Sequence, residues 1–376
     1  MKLTSLDAWI AGAFAFLFAA FVAVSWQKWA LLTADSAREL YVPFQILHGK
    51  RIYEDFYYMY GPVAPVFNAG LLSVFGARLE VLYVASLLNL AAVMGLLYVL
   101  ARHLLKPLPA AAALFLFFSH FALGRDIWGY AWPYAFAATY SVTLGLFVLV
   151  ALARFMATGR HRWLVAGGVA IGLSTVTKLE YGFAAAALGA IFLAGRGLLR
   201  RYLPDATPGL RGWGIEALAL VGPALVVAGA IVGSVLARVP VSLVLESVWP
   251  VTLMKMWGSA GSWHGTAASW LANAKWLALD VGVVGAVWGL ALLWARSRAA
   301  AMGATIALSG LAWVLRGSLT FYWDNAHVYW MGPGFLLLFA VIAGVVWRIG
   351  HVVKAAGRLD ARTVLWGLLA AYGCLV

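Results

Sequence analysis

Apolar runs long enough to cross a bilayer recur along almost the whole chain, and they leave little choice of fold. A spanning helix needs about 20 mainly apolar residues. Runs of this kind occupy residues 8–30, 80–101, 108–123, 132–153, 163–177, 181–199, 215–237, 275–295, 299–321, 328–349 and 363–376. The run 108–123 is short, and 363–376 stops at Val376, which reads as truncation before a further span or an outer domain. Gly222-Pro223 inside a run is tolerable because neighbouring helices re-satisfy the backbone. The expectation is an all-α polytopic transmembrane protein of about eleven spans, one domain over 1–376, with outer loops at 33–78 and 238–274.

Composition excludes the soluble alternative. Charged residues are 11% of the 376, hydrophobic ones 64% and mean hydropathy is +0.89, whereas a soluble globule carries roughly 25% charged residues. Cys374 is the single cysteine, so there is no intrachain disulfide, and no zinc-type Cys/His spacing occurs. The net charge of +13 would suggest nucleic acid in a soluble protein. Here the cations lie in short clusters between apolar runs, the pattern of topogenic loops, so membrane lipid and not nucleic acid is the expected partner. With the N-terminus inside as an uncleaved first span, sixteen of the 27 Lys and Arg but four of the 14 acids fall on the cytoplasmic side.

The other ten acids lie outside or at helix ends facing it, and the middles of the spans hold almost no ionisable group, with Asn89 and His120 the main polar exceptions. Charge in hydrocarbon is costly, and ion-coupled transporters need polar sites near the midplane. The polar chemistry is therefore expected on the outer face.

The richest stretch is the first outer loop. Ser36 and Glu39 have capping-box spacing, Gly49 is placed to stop the helix they would start, and Leu40, Tyr41, Phe44 and Leu47 give it an apolar face, predicting a short helix lying flat in the interface. Asp35 sits just before it. Tyr53, Phe56, Tyr57, Tyr58 and Tyr60 read as an aromatic cluster at headgroup depth. Pro62 and Pro65 predict a second interfacial helix over 62–75, closed by Gly76.

Three stretches carry a resemblance. Asp35 followed by Leu47-His-Gly-Lys-Arg-Ile-Tyr53 and Asp55-Phe-Tyr-Tyr-Met-Tyr-Gly-Pro62 resembles the opening of bacterial family 39-type glycosyltransferases of the GT-C class, which are similar to protein mannosyltransferases. Gly172-Leu-Ser-Thr-Val-Thr-Lys178-Leu-Glu180-Tyr-Gly182 and, more weakly, Arg316 with His327-Val-Tyr-Trp-Met-Gly-Pro333 extend it. The resemblance implies a bacterial inner-membrane enzyme using a polyprenyl-phosphate-sugar donor on the outer face, a lipid, glycan or protein acceptor, and the first-loop aspartate, Asp35, as catalytic base. Many relatives have a second acid directly after that aspartate. Here Ser36 stands there and Glu39 is the nearest acid, so the residues specify no cofactor and leave a divalent metal open.

Chemistry supports one carboxylate independently. A sugar phosphate loses a stable anion through an oxocarbenium-like state, so no acid need protonate the leaving group and a single general base suffices. The phosphate needs cations. Arg38, Lys178 and Arg316, with His327 as a donor, are the outer-side candidates. Glu39, Glu54, Asp55, Tyr60 and Glu180 are candidate substrate or supporting residues. Several have a plain structural alternative: Asp35 as a helix-start anion, Glu39 as the capping-box acid, Glu54–Asp55 as a solvated turn, Lys178–Glu180 as a mutual pair, Arg316 snorkelling to headgroups. The dense aromatics of 238–274 read as interfacial anchors or a sugar-stacking surface. A transporter or flippase of lipid-linked glycans is the rival reading; it would place repeats or deep polar residues in the spans.

Overall fold

The computed structural model describes residues 4–29, 34–118, 122, 129–202 and 209–248. By its contacts the chain divides into two units, Met1–Met254 with Cys374–Val376, and Lys255–Gly373. All described residues belong to the first. The runs 275–295, 299–321, 328–349 and 363–376, the outer segment from Trp249 onward, and Arg316 and His327 lie outside the described residues.

The first unit is helical, and among its described residues there is no β-strand. In chain order the helices are α1 Ser5–Ser25, α2 Ala34–Leu47, α3 Val63–Phe75, α4 Leu79–Leu104, α5 Pro107–Phe117, α6 Phe136–Thr158, α7 Arg162–Thr175, α8 Leu179–Tyr202, α9 Leu210–Leu236 and α10 Val241–Val248. Among them α1, α4, α6, α8 and α9 are long and apolar enough to cross a membrane. The runs 108–123 and 163–177 correspond to shorter helices, α5 and α7, below the roughly 20 residues that a crossing needs. α7 packs against α6, α8 and α9. It approaches α9 backbone to backbone: a Cβ on Gly168 would lie 2.1 Å from the Leu220 carbonyl oxygen, and one on Gly172 2.6 Å from that of Ala224. Small residues let helices meet this closely where packing replaces the hydrophobic drive.

One end of the bundle is closed by ion pairs. Thr4 and Asp7 form a capping box on α1, and the Asp7 carboxylate also accepts from Tyr98 (2.7 Å) and from Arg102 Nε (2.5 Å) of α4. Arg196 of α8 grips Glu216 of α9 with two nitrogens, at 2.7 and 2.8 Å. A charge kept at this depth has to be paired.

The opposite end carries the first-loop helices. α2 begins at Ala34, so Ser36 lies inside the helix and cannot be its N-cap. α2 turns Val42 and Glu39 inward and leaves Tyr41 and Phe44 exposed. Gly49 at φ +81° ends the turn after it, and Gly76 at φ +95° closes α3, a backbone that a side chain resists. The aromatic segment between them departs from the headgroup expectation. Tyr53, Tyr58 and Tyr60 are buried in a core with Trp29, Tyr83, Trp132 and Phe136, while Tyr57 is exposed. Protein, not lipid, provides their apolar surroundings.

Candidate functional site

Tyr60 is the hub of the loop end. Its carbonyl accepts the Tyr53 hydroxyl (2.7 Å), its own hydroxyl donates to Tyr134 (3.2 Å), and the following N–H, of Gly61, donates to the Thr177 carbonyl at 3.1 Å. The last bond docks the loop on the turn between α7 and α8. Only glycine fits there, because a Cβ at residue 61 would sit 2.0 Å from the Val176 carbonyl oxygen. The Tyr60-Gly61-Pro62 triplet is thus a docking element, with Pro62 then leading into α3.

Two cations converge on the Tyr60 ring. The Arg38 guanidinium carbon lies 5.2 Å from its centroid and 5.5 Å from that of Tyr134. The Lys178 Nζ lies 5.0 Å from the same Tyr60 centroid and 4.9 Å from that of Tyr181. Cations at such distances are held by the ring quadrupoles. Arg38 comes from α2 and Lys178 from the turn before α8, so tertiary docking alone brings them together. Lys178 also pairs with Glu180, whose side chain is exposed.

Glu39 is buried, at 4% exposure. One of its oxygens faces Arg38 Nε at 3.3 Å, and the other accepts the backbone N–H of Phe136 at 2.8 Å. Phe136 is the first residue of α6, whose N-cap, Ala135, offers no side-chain bond. Glu39 therefore caps α6 from α2. The spacing Ser36–Glu39 carries no sign of this contact, because Phe136 lies 97 residues further along the chain.

The electrostatics follow from that crowding. Burial works against the Arg38 charge, but the Glu39 carboxylate beside it favours that charge, and the guanidinium is raised above its ordinary value. Burial raises the phenols of Tyr58 and Tyr60 well above their ordinary value, so both remain neutral. Tyr57 is also raised, by burial first and with Glu246 adding to it against Arg38.

The remaining candidates separate. Asp35 is the second residue of α2, three positions before Arg38. Glu54 pairs with Arg51 at 2.8 Å, and Asp55 accepts the Arg51 N–H at 2.6 Å. These two acids close the turn in which buried Tyr53 takes φ +71°. Tyr134 and Gly61 were not singled out from sequence. Tyr134 has no local pattern and Gly61 only its place in the Asp55–Pro62 stretch; each matters through a residue far along the chain. Among the described residues no group of three or more His, Cys, Asp or Glu is placed to hold a metal ion.

The chain is similar to the crystal structure of ArnT from Cupriavidus metallidurans bound to undecaprenyl phosphate. Identity is 18%, the match covers 97% of this chain and 76% of that one, and the TM-score is 0.44. No protein-family model matches the chain, and no curated protein matches it.

Proposed function

We propose that this chain is an integral-membrane glycosyltransferase that moves a sugar from a polyprenyl-phosphate-linked donor to an acceptor on the outer face of the bacterial inner membrane. The observation that carries the reading is the convergence of Arg38 and Lys178 on one tyrosine at the end of the bundle where α2 carries Asp35 in its first turn. Two cations on a neutral aromatic platform suit a phosphate whose lipid tail stays in the bilayer.

In this reading Arg38 and Lys178 hold the donor phosphate. Asp35 takes the proton from the acceptor hydroxyl as its oxygen bonds to the anomeric carbon. The anomeric C–O bond to phosphate breaks, and the electron pair leaves on the polyprenyl phosphate. A single displacement inverts the anomeric centre. The N-terminus is cytoplasmic, in accord with the Lys and Arg bias.

The test is binding of undecaprenyl phosphate to the detergent-solubilised protein, read by native mass spectrometry, with undecaprenol, the same lipid lacking phosphate, as the control. Selective retention of the phosphate supports the reading. Equal retention of both lipids, or of neither, overturns it.

A further inference from the structure

Glu39 stands out among the buried acids because it joins two things that sequence keeps apart. Its carboxylate spans the Arg38 Nε (3.3 Å) and the N-terminal amide of α6 at Phe136 (2.8 Å). The same stretch of α6 and its approach carry Tyr134, the second ring under the Arg38 guanidinium, and Tyr134 is in turn bonded to Tyr60. A helix N-terminus favours an anion, so Glu39 has a fixed seat. An Arg guanidinium has several donors in a planar fork, and fixing it through Nε constrains where the rest of that fork can reach.

We infer that Glu39 is a positioning residue: anchored on the α6 N-terminus, it aims Arg38 across the Tyr60 and Tyr134 rings at the anion held between Arg38 and Lys178. This rests on the donor-phosphate reading above and deepens it. Glu39 does not itself touch the donor. Its role is to make the Arg38 charge count at one place, in a side chain with enough rotamer freedom to spend much of its time elsewhere.

A double-mutant cycle separates this from a purely structural role. Glu39→Gln keeps an amide oxygen for the Phe136 N–H while removing the charge that orients Arg38. Affinity for undecaprenyl phosphate is measured for the unaltered protein, Arg38→Ala, Glu39→Gln and the double variant. With Glu39 present, Arg38→Ala is expected to weaken binding by about tenfold or more. In the Glu39→Gln background the same change is expected to cost less than about threefold, the sites being coupled. An equal or larger cost of Arg38→Ala in that background overturns the inference, since Glu39 would then be indifferent or a competitor for the guanidinium.

Failure of the unaltered protein to bind would remove the donor reading instead. The same four proteins read by thermal unfolding then report the Glu39–Arg38 tie alone, and strictly additive shifts overturn it.

Discussion

The Lys178 ammonium lies 5.0 Å from the centroid of the Tyr60 ring, across the seam between the first loop and the α7–α8 turn. Neighbouring backbone bonds, Gly61 N–H to Thr177 and Val63 N–H to Val176, hold that seam at 3.1 and 3.5 Å. The contact makes a residue from the middle of the chain part of a surface begun by α2, and several consequences can be measured.

Gly61→Ala is expected to break the seam. The added Cβ would meet backbone, not a flexible side chain, so the turn has to move. Overpacking of this kind costs about 1–3 kcal/mol, and undecaprenyl phosphate binding should fall with it. Gly70→Ala, in α3 with nothing within 4 Å of the new Cβ, is the control and should lose no thermal stability, because alanine is the better helix former.

Lys178→Met should weaken binding of undecaprenyl phosphate by about tenfold or more, the worth of a charge-assisted bond. Lys178→Arg should retain most of the affinity. A titration by native mass spectrometry distinguishes these, and unchanged affinity in Lys178→Met would remove the lysine from the donor site.

Asp35→Asn should leave donor binding within about threefold while transfer falls by roughly 10²–10⁴, the usual contribution of a general base. Turnover is followed with a panel of labelled polyprenyl-phosphate sugars in membranes. Undiminished transfer would leave Asp35 as a helix-start anion.

Glu216→Ala acts at the other end of the bundle. It leaves Arg196 without the carboxylate that it grips at 2.7 and 2.8 Å, and breaking a buried pair in this way costs about 3–5 kcal/mol. Thermal unfolding in detergent should show the loss, while the folded fraction binds undecaprenyl phosphate normally. A binding defect as large as that of Lys178→Met would mean the two ends are coupled.

Much of the bundle is legible without coordinates. The apolar runs mark α1, α4, α6, α8 and α9, and Pro62 and Gly76 bracket α3. Local signals are less secure in the loop. Ser36 and Glu39 have the spacing of a capping box, yet α2 starts two residues earlier and Glu39 serves α6. The tyrosines of 53–60 read as headgroup anchors, and three of them are core. In a chain this apolar, hydropathy cannot distinguish a ring that faces lipid from one that faces protein, because both surroundings are equally dry.

Sequence by itself determined that the chain is helical and membrane-embedded, because continuous apolar runs of about 20 residues satisfy their backbone in a bilayer as helices. It also marked which loop is rich in charge and aromatic rings. Tertiary structure decided which charges meet. Arg38, Tyr60, Tyr134 and Lys178 share no period and no motif; they are neighbours because Gly61 admits the Val176 carbonyl and because the N-terminus of α6 needs an anion that α2 supplies.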